Sequence, residues 1–155
     1  MEKEKIKEYY RKADRVYEFA GIRSDINKQY EFYNLLDSYA EKKKLIVLVK
    51  AKVVNPDGIK FKPDGTLKNK KGKEFGHWKC LSQNEMMYDQ IERLNNSGFP
   101  MTNTLFENSE TALLYQDGLE VWRSDMRRPK DLHTIIKKFL NYGKVKLALY
   151  KTVPV

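Results

Sequence analysis

Residues 45–54, Leu-Ile-Val-Leu-Val-Lys-Ala-Lys-Val-Val, constrain this chain most, because a β-branched apolar run stands in a sequence of which 33% is charged. Such a run is far short of the roughly 20 apolar residues that cross a bilayer, and its composition suits a strand rather than a helix. It begins continuously apolar and turns to alternation at Lys50 and Lys52, so the spacing predicts a strand buried first and half-exposed later. Pro56-Asp57-Gly58 then turns the chain. Residues 59–67, a basic loop over 68–73 and the apolar segment 75–81 follow as a β-hairpin.

Helical spacing brackets this β-rich centre. Residues 2–20 carry Ile6, Tyr9, Tyr10, Val16 and Phe19 among charges, with Gly21 as C-cap; the weak stripe predicts a peripheral helix over residues 1–23. Ser24 can cap a second helix, in which Ile26, Tyr30, Tyr33 and Leu36 keep the i, i+4, i+7 rhythm to about residue 43. Ser82-Gln83-Asn84-Glu85 has capping-box spacing, and Met87, Ile91 and Leu94 trace one packing face until Gly98. Residues 102–106, 111–116 and 119–123 read as three strands, the last two joined by Asp117-Gly118. Residues 129–142 form a helix closed by Gly143, and 144–153 alternate as a last strand. With no repeat and no linker, the expectation is one α/β (α+β) domain over residues 1–155: a central mixed sheet flanked by helices, with Trp78 and Trp122 filling its core.

Composition narrows the function. Cys80 is the only cysteine, so no internal disulfide forms, and one Cys with two His falls short of the four ligands of structural zinc. The charged segment 1–11 is unlike a signal peptide, so a soluble, cytoplasmic protein is expected, in the host cytoplasm if the owner is a virus. A net charge of +9 implies an anionic partner, a phosphate backbone or an acidic membrane surface. Lys68, Lys70, Lys71 and Lys73 in the hairpin loop, with Arg127 and Arg128 ahead of the last helix, are the candidate DNA-binding residues. They suit contacts that position a duplex without reading its sequence.

The ordered landmarks Glu31, the 45–54 strand, Pro63-Asp64-Gly65, Gly72-Lys73 and Gly76-His77-Trp78-Lys79-Cys80-Leu81 resemble the PD-(D/E)XK nuclease superfamily. The likeness is strongest to the nuclease part of single-chain methyltransferase-fused restriction enzymes. It continues through Gly98-Phe99-Pro100, Asn103-Thr104-Leu105-Phe106-Glu107, Gln116-Asp117-Gly118 and Arg123-Ser124-Asp125-Met126. The family's Glu-x-Lys falls on Lys79-Cys80-Leu81, which removes a metal ligand and displaces the lysine. The resemblance therefore implies a repaired site: Asp64 and Glu85 as metal ligands, Glu31 as a further carboxylate, and Lys79 as charge stabiliser. His77 and His133 read as satisfied histidines rather than bases.

These residues together imply a deoxyribonuclease that uses Mg²⁺ (or Mn²⁺) and water to cut double-stranded DNA with little sequence specificity, with no membrane and no small-molecule cofactor. A nuclease-fold DNA-binding protein without catalysis, and a small viral interaction or inhibitor protein, are the alternatives. Lacking methyltransferase and target-recognition parts, the chain resembles a captured fragment of the kind a virus or mobile element carries, archaeal filamentous viruses among them.

Overall fold

The computed structural model describes residues 2–20, 25–49 and 53–142. In chain order they form α1 (Glu2–Ala20), α2 (Asp25–Lys42), β1 (Ile46–Val49), β2 (Val53–Val54), β3 (Lys60–Phe61), β4 (Gly65–Lys68) and β5 (Glu74–Cys80). Then come α3 (Met87–Asn96), β6 (Asn103–Glu107), β7 (Thr111–Gln116), β8 (Leu119–Asp125) and α4 (Pro129–Leu140). Gly21, Ser24, Gly143 and the 144–153 strand expected from sequence lie outside the described residues.

Six strands make one sheet in the order β1-β4-β5-β6-β7-β8, and β2 pairs with β3 in a separate ribbon. Neighbours run antiparallel except β5 and β6, which are parallel. A parallel pair needs a crossover, and α3 supplies it. The result is an α+β fold with a mixed sheet between helices, the arrangement of a PD-(D/E)XK-like core. No described helix is long and apolar enough to cross a membrane.

Alternation along the strands feeds two cores. Trp78, Leu105 and Leu114 pack with Phe32, Leu36, Ile136 and Phe139 beneath α1, α2 and α4. Phe106 and Leu113 point the other way, joining Phe61, Ile91 and Phe99, with Met87 and Leu94 packed against them as their spacing predicts. All five residues of β6 are buried because the strand is central and covered on both faces.

Four expectations change. The N-terminal helix is not peripheral: Ile6 and Tyr9 are 2% and 7% exposed and belong to the larger core, and the Tyr10 hydroxyl donates to the Met126 carbonyl at 2.6 Å. The described parts of the 45–54 run fall in different sheets, Ile46–Val49 as β1 and Val53–Val54 as β2 of the ribbon, while residues 50–52 lie outside the described residues. Among the described residues β1 is an edge strand with one neighbour, and it leaves Ile46, Leu48 and Val49 exposed and buries only Val47. The third helix begins at Met87 with Met86 as an unassisted N-cap, and Ser82 Oγ accepts from the Asn84 amide in a turn ahead of it, so there is no capping box. Trp122 lies on outer strand β8, 39% exposed, with the Lys138 ammonium 4.4 Å from its ring centre.

Candidate active site

The site lies where β4 begins and β5 and β6 end. Asp64 immediately precedes β4, and its amide donates to the Trp78 carbonyl at 2.8 Å. That bond sets the side chain beside the end of β5, where Asp64 Oδ2 accepts the Cys80 amide at 2.6 Å. Lys79 Nζ stands 4.0 Å from the same oxygen and donates to the Lys62 carbonyl at 3.1 Å. Sequence reasoning thus brought Asp64 and Lys79 together correctly as neighbours across a hairpin.

The second carboxylate is Glu107, which the motif reading used only as a landmark. Register pairs it with Cys80 across the parallel β5–β6 ladder. It is 1% exposed. Glu107 Oε2 accepts the Trp78 indole N–H at 3.1 Å, and Oε1 accepts the Ser109 amide at 2.7 Å. Burial raises its proton affinity and the Asp64 charge raises it further, against the opposing hydrogen bonds from Trp78, Ser109 and the Cys80 thiol. Cys80 therefore stands between the two acids, giving its backbone N–H to Asp64 and its thiol to Glu107. Tyr9 of α1 closes this side; burial and the Glu107 charge hold its phenol protonated well above the usual range.

Close packing fixes the frame. A Cβ on Gly65 would lie 2.8 Å from Trp78 Cε3 and from Val47 Cγ1, so only glycine lets β4 approach the indole that anchors Glu107. Phe32 of α2 packs on that indole with ring centres 5.3 Å apart.

The remaining candidates have other partners. Asp64's partners are Cys80 and Lys79, whereas the Glu85 carboxylate pairs with Arg93 of α3 and is half exposed. With no capping box turning it inward, Glu85 answers to its own helix. Glu31 lines a groove between α1 and α2 with Lys5, Glu8 and Lys12. Among the described residues no three His, Cys, Asp or Glu side chains gather as a metal cage. Asp64 and Glu107 flank Cys80, and one or two carboxylates are the number a Mg²⁺ ion takes beside its waters and phosphate oxygens.

His77 is buried, shares a 3.1 Å hydrogen bond with Thr66 Oγ1, and is lowered to about 4 by burial and then by the Lys68 charge, so it is neutral and structural at pH 7. His133 Nδ1 meets the Tyr39 hydroxyl at 2.8 Å and Glu2 at 3.5 Å, an anchor for α1.

The basic loop does not flank Asp64. Hairpin register sets Asp64 beside Trp78 and Cys80 but Lys68 beside Glu74, so the lysine tip is about four strand residues, roughly 13 Å, from the carboxylate. Lys70, Lys71 and Lys73 are exposed there on a turn that Asn69 Oδ1 organises by accepting the Lys71 and Lys73 amides, each at 2.9 Å. Arg127 bonds Asp14 at 3.2 Å and stacks 4.9 Å from the Tyr10 ring centre, and Arg128 lies 3.6 Å from Asp125. Arg127 thus also ties α1 to the turn before α4.

No family model matches the chain, and no curated protein matches it. Among solved structures it is similar to a chain of the DrdV–DNA complex determined by cryo-electron microscopy. The TM-score is 0.85 at 28% identity, and the likeness covers 90% of this chain and 14% of that one. A crystal structure of a proposed nuclease belonging to DUF820 from Anabaena variabilis has a TM-score of 0.46 at 11% identity, over 74% of this chain and 78% of that one.

Proposed function

We propose that the chain binds double-stranded DNA and hydrolyses its phosphodiester bonds with Mg²⁺ (or Mn²⁺), using Asp64 and Glu107 as the metal-holding carboxylates and Lys79 as the cation of the site. The observation that carries this reading is the pair of acids on either side of the end of β5, joined through Cys80, one of them buried with a raised proton affinity. Buried, mutually repelling carboxylates at strand ends are where function, rather than stability, repays the cost of burial. Similarity over most of the chain to part of a protein solved with DNA, and a charge of +9, support DNA as the partner.

A divalent cation held by these carboxylates would lower the pKa of a bound water, so that it can give its proton to solvent and be a hydroxide nucleophile, and would neutralise charge on the phosphate oxygens. Asp64 is oriented by the Cys80 amide, and Glu107 by Trp78 and Ser109. Lys79, anchored on the Lys62 carbonyl, adds positive charge beside Asp64 for a phosphate to meet. The lysine tip holds the duplex backbone at a distance from the cut.

The same Lys79 contact favours a second reading, a DNA-binding domain without catalysis, because an ammonium 4.0 Å from Asp64 already neutralises it. Incubation with linear and supercoiled DNA in Mg²⁺, Mn²⁺ or EDTA separates the two. The proposal expects metal-dependent cleavage that Asp64→Asn abolishes without loss of binding. A salt-sensitive gel shift with no cleavage establishes the second reading, and neither shift nor cleavage removes DNA as the partner.

A further inference from the structure

We propose that Lys79 is a built-in competitor of the metal for Asp64, and that this lysine keeps the hold of the site on a divalent cation weak. The inference rests on the reading of Asp64 as a metal-holding carboxylate and adds what sets the strength of that hold. Its basis is the sharing of one oxygen. Asp64 Oδ2 accepts the Cys80 amide at 2.6 Å and has the Lys79 ammonium 4.0 Å away.

The ammonium is retained where it stands. Lys79 precedes Cys80 on β5, and its Nζ donates to the Lys62 carbonyl at 3.1 Å. That carbonyl is joined to Asp64 through Pro63 alone, whose ring restricts the backbone between them. The group that anchors Lys79 and the carboxylate it faces therefore belong to one short, stiff segment.

A divalent cation such as Mg²⁺ binds a carboxylate oxygen at about 2.1 Å. On Asp64 Oδ2 it would lie no more than about 6 Å from Lys79 Nζ, whatever its direction of approach. A double and a single positive charge at about 6 Å repel by about a tenfold factor in affinity even at the dielectric constant of water. The Lys79 and Asp64 side chains are only 26% and 16% exposed, so solvent screens them incompletely. Swinging away from the cation would cost the ammonium both the carbonyl and the carboxylate. By either route Lys79 opposes metal loading.

Equilibrium binding of Mn²⁺ without DNA tests the proposal, with the free ion read by electron paramagnetic resonance at about 0.1 M salt. The wild type is compared with Lys79→Gln, Asp64→Asn, the double variant of the two, and Lys71→Gln, which removes the same charge from the hairpin tip. Lys79→Gln should bind Mn²⁺ about tenfold more tightly than the wild type, Lys71→Gln should match the wild type, and Asp64→Asn should abolish binding in both backgrounds. On the same reading Lys79→Gln slows cleavage, so affinity and rate move in opposite directions, which the loss of a merely structural lysine would not produce. Binding by Lys79→Gln that equals or falls below the wild type overturns the inference and leaves the metal reading standing. Equal tightening by Lys71→Gln also overturns it, as an effect of net charge. If neither the wild type nor Lys79→Gln binds Mn²⁺, the metal reading falls and the inference falls with it. Circular dichroism confirms that each variant is folded.

Discussion

Replacing Glu107 separates its structural task from its chemical one. Alanine there leaves the Trp78 indole N–H and the Ser109 amide without their acceptor in a place closed to water. Each orphaned buried donor costs about 1–3 kcal/mol, so the pair costs about 2–6 kcal/mol. At about 2–4 °C per kcal/mol for a domain of this size, Glu107→Ala should melt roughly 4–24 °C below the wild type. Glutamine keeps a carbonyl oxygen for one donor and should lose about half as much. The pH dependence adds a signature. An acid whose proton affinity is raised on folding contributes most below its unfolded pKa, and that contribution is lost as pH rises through the folded value. Glutamine cannot ionise, so the stability gap between wild type and Glu107→Gln should narrow as pH rises. Differential scanning calorimetry across a pH series reads both effects. If Glu107→Ala melts with the wild type, or the gap to Glu107→Gln is constant with pH, the buried-acid account of this strand end is wrong.

Gly65→Ala forces a methyl group between Trp78 and Val47 and should cost about 1–3 kcal/mol in urea unfolding; an unchanged midpoint would remove the close approach of β4 to the indole. His77, lowered to about 4 by burial, makes stability fall as pH drops below its unfolded value of about 6.5, by up to about 1.4 kcal/mol per pH unit; His77→Gln should flatten that window, and an equal slope in both proteins would contradict it. Lys70→Gln with Lys71→Gln should weaken DNA binding at low salt and reduce the slope of log affinity against log salt by about 2; an unaltered slope would free the hairpin tip from any phosphate contact.

Local rules reached far into this fold where one face of an element decides its burial. The Met87, Ile91, Leu94 stripe, the hairpin carrying Asp64 and Lys79, and the three strands after Gly98 could be read from spacing and turn residues. Reading failed where tertiary neighbours decide. The 45–54 run is as apolar as a central strand, yet among the described residues β1 lies at an edge with most of its side chains exposed. Tyr9 belongs to a helix with few apolar residues, and its burial follows from α2 and α4 closing around it. Glu85 sat at capping-box spacing, but the helix starts two residues later and leaves that carboxylate to Arg93. Glu107 was visible as one letter of Asn-Thr-Leu-Phe-Glu. The available signal was that a strand apolar enough to be buried on both faces ends in an acid, which asks for a reason. Its neighbour across the ladder is Cys80, the middle residue of the segment that resembles Glu-x-Lys, and on the proposed reading the carboxylate absent there comes from the adjoining strand.

That substitution of one strand's acid for another's is tested most directly by metal-dependent melting in the absence of DNA. A cation that binds only the folded chain raises the melting temperature with its concentration. Titration of Mn²⁺ should raise that of the wild type, and the shift should vanish in both Asp64→Asn and Glu107→Gln while persisting in Glu85→Gln. Equal shifts in all four proteins, or loss of the shift in Glu85→Gln alone, would contradict the pairing of Asp64 with Glu107.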